Sequence, residues 1–256
     1  MLPAALERIM AALPDDARVL DVGGAAAAFT RADAVIDAVP YARRSVVGTY
    51  GPGAERFSAR TWVQRDLCER TPWPFADGSF DLAVCVDVLQ EVRDPVWVCA
   101  EMARVSRGGY VELPTPEASL SVDEAGGTHP DARTHRWLCE LTSGTLTFTA
   151  KPHGLEGDWS LRVLPRQRER LAAAEELQQG LFWEARRPAE ERLRGGDERE
   201  AALDDLRARL RERLERTPGD VRVQQARDIA RQGLQAARGP VRKAAVDALG
   251  RLGGRR

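Results

Sequence analysis

Several residue types are scarce in this chain, and each scarcity removes a class of protein. Only Cys68, Cys85, Cys99 and Cys139 are cysteines, well separated and without a C-x-x-C pair. That argues against a disulfide scaffold or a zinc ribbon and for buried, reduced thiols. The three histidines are His129, His135 and His153, and the H-x5-H-x3-C spacing from His129 to Cys139 matches no zinc pattern, so no metal is expected. Lysine is confined to Lys151 and Lys243, leaving arginine to carry the basic charge. No apolar run approaches the ~18 residues of a membrane span, and no membrane partner is expected. The first twenty residues contain Glu7, Asp15 and Asp16 and lack a basic start before an apolar core. No secretory signal is read there, and a cytoplasmic location is the expectation.

What is present is the composition of a soluble globular protein. In 256 residues, 43% are hydrophobic and 30% charged, with a net charge of −1, enough for one core plus a modest extension. The most informative stretch runs from Trp62 to Pro114. Phe80 to Val86 is a short apolar run after the Asp77-Gly78 turn and reads as a strand buried on both faces. Asp94-Pro95 supplies an N-cap and a first helical residue, and Val96, Cys99, Met102 and Val105 follow at helical spacing. Gly108-Gly109 is expected to end that helix, with Tyr110 to Leu113 as the next strand.

Upstream, Leu2 to Leu13 reads as a short amphipathic helix. Arg18 to Val22 is a strand that runs into Gly23-Gly24. Ala34 to Asp37 is a second strand and Trp62 to Gln64 a third, separated by a polar loop punctuated by Gly48, Gly51 and Gly53. An acid at a strand end followed by glycines suits a nucleotide-type ligand, because glycine lets the backbone approach closely.

The run Pro74-Phe75-Ala76-Asp77-Gly78-Ser79-Phe80-Asp81 and the strand and helix after it resemble the class I S-adenosylmethionine (SAM)-dependent methyltransferases, over roughly residues 17 to 114. The family's D-x-G-x-G-x-G pattern is altered here to Asp21-Val22-Gly23-Gly24-Ala25-Ala26-Ala27. It is similar to a branch with an abbreviated loop, G-G-x-A-x-x-F-x-R-A-D. The resemblance implies SAM as cofactor, held by Asp21, Val22, Gly23 and Gly24 at the first strand's exit. It implies Asp37 on the ribose hydroxyls, Asp66 on the adenine amino group, Leu67 against the ring, and Cys85 and Val86 at the methionine end. Asp87, Gln90 and Glu91 fall where substrate-facing groups emerge. The region Tyr41 to Ser58 closes over the cofactor in such relatives.

Thr115 to Arg133 reads as a long binding loop. Arg136 to Leu141 and Thr145 to Lys151 read as a hairpin about Thr142-Ser143-Gly144, placed at the sheet edge by the family resemblance. A helix is expected over Arg166 to Gln179, and Leu181 to Glu184 as one more short strand. His129 and His135 are the candidate catalytic bases, since a neutral imidazole can take a proton as the methyl arrives. Ordinary polar surface residues are the competing reading.

From Asp197 the character changes. Leu203, Leu206, Leu210 and Leu214 form a helical stripe. After residue 220, nine basic residues oppose Asp228 and Asp247, a net +7, without aromatic residues to stack on bases. Nucleic acid is therefore not the expected partner. A homodimer through the C-terminal helices is expected instead.

The fold expected is α/β: a Rossmann-like, mostly parallel sheet with an antiparallel edge hairpin, then a helical extension. The division is a methyltransferase-like domain over residues 1–192 and helices over residues 197–256. The expected function is SAM-dependent methyl transfer to a small-molecule acceptor, at oxygen or nitrogen. A SAM-fold enzyme that does not methylate and a non-catalytic binding or dimerisation module stand as alternatives. An NAD-linked domain fits less well, because G-x-G-x-x-G is absent.

Overall fold

The structure, a computed structural model, describes residues 1–45, 48–123, 128–151, 158–184 and 192–214, with isolated positions 222, 226 and 229. Its centre is a six-stranded sheet. In chain order the strands are β1 (Val19–Val22), β2 (Ala34–Asp37), β3 (Trp62–Gln64), β4 (Leu82–Val86), β5 (Gly108–Pro114) and β8 (Gln178–Glu184), arranged β3-β2-β1-β4-β5-β8. All neighbours are parallel except β8, which runs antiparallel to β5. A smaller sheet pairs β6 (Trp137–Thr142) with β7 (Thr145–Ala150) as a hairpin and adds β9 (Arg192–Arg194) parallel to β7.

Strand alternation divides the core into two layers. Val19, Val35, Val84 and Tyr110 face α1 (Pro3–Ala12) through Ala5 and Ile9. Leu20, Val22, Ile36, Cys85 and Val111 face α2 (Pro95–Val105) through Val98, Cys99, Met102 and Val105. The buried face of α2 thus includes Val98, while Val96 is half-buried. The Asp94 cap is as expected, its carboxylate accepting from Trp97 N at 3.0 Å. Glu101 of the same helix ties down the loop before β4, accepting from Trp73 N at 2.6 Å and from Arg104. Arg104 in turn donates to the Phe75 and Trp73 carbonyls. Burial raises the Glu101 carboxyl, but these donors outweigh it and hold the group below its ordinary value.

Three expectations are corrected. Gly108 and Gly109 begin β5, while α2 ends at Val105. A Cβ on Gly109 would lie 2.1 Å from the Trp183 ring, so the glycine serves the cross-strand approach of an aromatic and not a helix stop. The helix expected over Arg166 to Gln179 is α4 (Pro165–Ala173), and Gln178 and Gln179 already belong to β8. Glu175, with φ +57, turns the chain between them. The antiparallel edge is present, but β8 forms it on β5, and the hairpin stands apart in the smaller sheet. Gln179 joins the two sheets: its amide accepts from Leu141 N at 2.9 Å and donates to Cys139 O and Pro114 O.

The long loop after β5 contains α3 (Pro116–Ser119) and a 3-10 turn at Pro130–Ala132. The leucine stripe lies on α5 (Gly196–Arg213) and is buried within the chain. Leu203, Leu206, Leu210 and Leu214 pack with Leu120, Leu138, Leu161, Val163 and Leu171. Arg207 pairs with Asp158 at 2.8 Å and Arg213 with Glu117 at 2.9 Å. The stripe expected to meet a second copy therefore has its partner in its own chain, on the outer side of the hairpin. The net +7 segment after residue 220 lies outside the described residues apart from Arg222, Ala226 and Ile229, and His153 lies outside them as well.

Leu210 is completely buried. Leu210→Ala should lower unfolding free energy by ~2–4 kcal/mol, as for a large-to-small change in a packed core. Urea denaturation giving a change below ~0.5 kcal/mol, the range of ordinary surface substitutions, would mean that α5 is not docked as described.

Candidate functional site

The parallel strands β1, β2, β4 and β5 end on one side of the sheet, where Asp21, Gly23, Gly24 and Asp37 lie together. Open α/β sheets bind ligands outside these carboxyl ends. The connection from Gly23 to Asp33 is too short for a crossover helix, and side chains hold it instead. Asp37 accepts from Ala25 N at 2.9 Å with one oxygen and from Val39 N at 2.7 Å with the other. Asp21 accepts from Phe29 N at 2.8 Å. Buried Arg31 donates to the carbonyls of Pro14, Asp15 and Ala17 and pairs with Asp33.

Gly23 has φ +85, and a Cβ there would sit 2.3 Å from a Val88 methyl. One on Gly24 would lie 2.7 Å from an Asp21 oxygen. Close approach therefore demands both glycines, and at Gly23 the backbone conformation demands one as well.

Residues 41–45 and 48–58 fold over this connection, with Ser45 N donating to Ala25 O and Tyr50 N to Ala28 O. Tyr50 stacks on Phe29 at 5.3 Å, and its hydroxyl is buried with no hydrogen-bond partner among the described residues. Burial, then Asp21, Cys85, Glu112 and Asp87, push this phenol well above its usual value. Asp21, 2% exposed, is raised to about 7, by burial above all and secondarily by Asp37, against the Phe29 N–H. Asp37 is also raised by burial, opposed by its backbone donors.

A cavity of about 570 Å³ opens beside these groups. Ala26 lines it from the β1–β2 connection, and Asp87, Gln90 and Glu91 from the turn after β4. His135, Arg168, Glu175 and Gln178 complete the polar wall. Asp87 has φ +57, an uncommon conformation for a residue other than glycine. The His135 Nδ1 lies 2.9 Å from Ser119 Oγ. A second cleft of about 540 Å³, lined by Arg8, Leu82, Gly108 and Trp183, lies at the strands' amino ends. In an open α/β sheet that is the side away from ligand chemistry.

Asp21, Gly23, Gly24 and Asp37 are brought together, and Val86 reaches the open end of β4. Cys85 is fully buried in the sheet, its thiol pushed well up by burial and by Asp21 and Asp87. Asp66 is exposed and paired with Arg93 at 2.8 Å, while Leu67 belongs to the core. Of the two histidines, His135 lines the cavity and His129 does not; the His129 N–H donates to Ser121 O. No cluster of potential metal ligands occurs among the described residues. Sequence reading missed Tyr50 and Glu112. An acid inside the apolar strand Tyr110 to Leu113 was the available signal for Glu112, which is buried and accepts from Tyr110 Oη and Leu2 N.

The model of the methyltransferase domain family matches residues 2–158. The chain belongs to that family. Comparison with curated proteins gave no match. Among solved structures, a candidate methyltransferase from Bacillus halodurans C-125 is 22% identical, with 44% of this chain and 50% of that one covered and a TM-score of 0.31. A SAM-dependent methyltransferase from Thermotoga maritima is 20% identical, covering 45% and 51%, at 0.29. Another from Mesorhizobium loti is 18% identical, covering 58% and 63%, at 0.32. The chain thus spans about half to five-eighths of the length of these structures. The family match covers all the parallel strands of the main sheet, the glycine turn and the β6–β7 hairpin, while α4, β8 and α5, and with them the cavity wall at Arg168, Glu175 and Gln178, lie beyond it.

Asp21 gives a testable pH signature. Its folded pKa, about 7, exceeds its ordinary value, so the folded state holds the proton more tightly than the unfolded chain. This group's contribution is most favourable below pH ~4 and is lost progressively as pH rises to about 7. Asp21→Asn keeps the side-chain acceptor for Phe29 N and cannot ionise. The stability difference, variant minus wild type, should therefore rise by a few kcal/mol between pH 4 and pH 7.5. Parallel pH–stability curves for the two proteins would contradict it.

Proposed function

We propose that this chain is a SAM-dependent methyltransferase acting on a small-molecule acceptor. The observation that supports it best is the juxtaposition of the Gly23-Gly24 turn and Asp37 with the cavity: Ala25 is held by Asp37, and the next residue, Ala26, is already in the cavity wall. The residues fit the cofactor. Val88 packs against Gly23 and the Asp21 carboxylate against Gly24, so both turn residues are held close to β1 and the turn after β4 without side chains of their own. Each Asp37 oxygen accepts one N–H, which leaves a lone pair on each for a pair of ribose hydroxyls.

SAM supplies an electrophilic methyl group on a sulfonium. In this proposal the backbone at Asp21, Val22, Gly23 and Gly24 lines its methionine and ribose side with the backbone of Cys85 and Val86, and the Asp37 carboxylate holds the ribose. Asp66 takes the adenine amino group, for which it has to share its carboxylate with Arg93. The acceptor occupies the cavity. His135, oriented through Ser119, takes the acceptor's proton, and the remaining catalytic contribution is alignment of nucleophile, methyl and sulfur. His129 is the weaker candidate for the base, being outside the cavity lining.

Asp37→Asn should weaken SAM binding by ~1.5–3 kcal/mol, the worth of hydrogen bonds to a charged group. Titration calorimetry with an unchanged dissociation constant in the folded variant would remove Asp37 from the site. His135→Ala should reduce turnover ~10²–10⁴-fold with SAM affinity intact, and His129→Ala should change it little. Equal loss in both variants, or none in His135→Ala, would refute the assignment of the base.

A further inference from the structure

The edges of the two sheets differ in how they are covered. On the smaller sheet the outer edge of β6 is capped: Gln90 O accepts from Trp137 N at 3.2 Å, and the Gln179 amide takes Leu141 N and Cys139 O. The main sheet ends on one side at β3, which is only three residues long and is followed by Arg65. Its other end is β8, seven residues long and paired with β5 alone. Glu112 O accepts from Asp87 N on the β4 side of β5, while Thr115 N donates to Leu177 O on the β8 side. Backbone direction alternates along a strand, so Gln179, Leu181 and Trp183 turn their N–H and C=O groups inward to β5. Gly180, Phe182 and Glu184 turn theirs outward, and none of these outward groups has a backbone partner among the described residues. Long edge strands are ordinarily blunted by lysine, proline, a bulge or a covering element. The sequence of β8, QQGLFWE, has no lysine or proline, and its ladder runs unbroken from Glu184 opposite Gly108 to Gln178 opposite Pro114.

We propose that β8 is an interface for a second copy of this chain, its β8 pairing antiparallel about a twofold axis at Phe182 and joining the two main sheets into one. A twofold contact needs a strand that complements itself. In this register Phe182 lies opposite the partner's Phe182, and Glu184 opposite the partner's Gly180. Each such pair exchanges two N–H···O bonds. The two phenyl rings meet on the α1 face, where Phe182 already packs on Tyr110 at 4.5 Å. Gly180 is exposed and has no side chain, which leaves room for the partner's Glu184 to approach Arg8. The Arg8 guanidinium lies 4.0 Å from the Phe182 ring centroid on that same face, so the charges are complementary across the axis. On the opposite face, half-buried Leu181 meets the partner's Trp183. An axis at Leu181 would instead set Glu184 against the partner's Gln178, a residue bonded to Asp87, and crowd acids together. Charge therefore selects the register at Phe182. The proposal is independent of the methyl-transfer reading.

Sedimentation equilibrium of the full chain over a concentration series should fit a monomer–dimer equilibrium. Amide hydrogen exchange locates the contact. The Gly180, Phe182 and Glu184 N–H groups should gain protection as concentration rises, because only pairing between chains engages them. Phe182→Lys sets like charges against each other across the axis and removes no bond to β5; it should weaken dimerisation about tenfold or more. Where that variant fails to fold, the exposed residues Arg8 and Glu184 decide. Arg8→Glu and Glu184→Arg should each weaken the dimer, and the two together should restore it. A chain that stays monomeric throughout the series overturns the proposal, even if its β8 edge takes up an added strand-forming peptide, since the occupant is then not a second copy. A dimer that leaves the three amides unprotected, or that is indifferent to these substitutions, overturns it as well.

Discussion

Two buried carboxylates hold together the connection on which the candidate site depends. Parallel strands are normally joined by a crossover of a dozen or more residues, usually a helix whose N-terminus supplies backbone donors. Between β1 and β2 only Gly23 to Asp33 are available. Asp37 takes the Ala25 N–H and Asp21 the Phe29 N–H, satisfying backbone groups that a helix would otherwise have paired internally. Asp21 is fully desolvated for this role, and its carboxyl rises to about 7 as a result. Arg31 closes the far end of the same connection by bonding three carbonyls beyond α1.

The rest of the molecule arranges itself around that short connection. Because no helix stands there, residues 41–45 and 48–58 lie directly on it and bring Tyr50 over Phe29. The strand ends stay uncovered by regular structure, which leaves the space the cavity occupies. Its far wall comes from chain beyond the parallel sheet, namely α4, the turn at Glu175, and β8. Gln179 fixes that wall by satisfying backbone groups of both sheets with one amide. Behind the hairpin, α5 covers Leu120 and Leu138, so it supports the same assembly from outside.

The central strands were legible because each is a short apolar run with a turn signal, and a strand buried on both faces permits few alternatives. The Asp94-Pro95 helix start was legible for a local reason, a side chain capping its own helix. What escaped depended on distant partners. Gly108-Gly109 looks like a helix stop until Trp183 is placed across it. Gln178 and Gln179 continue a helical pattern, yet strand pairing with β5 takes them. The leucine stripe of α5 was plainly amphipathic, but periodicity says that a face is buried and not against what. In the site, Asp37 and the glycine turn were readable from position, while Tyr50 sat in a polar loop whose fold over Phe29 no local pattern announces. His129 and His135 were indistinguishable by sequence, and only the cavity separates them.

The claim on which everything functional rests is that the carboxyl ends of β1, β2 and β4 form a SAM site despite the missing glycines. The most direct measurement is titration calorimetry of SAM and of its demethylated product, S-adenosylhomocysteine, into the full chain. Saturable binding of both, at one site per chain, is expected. A folded chain that takes up neither ligand would contradict it.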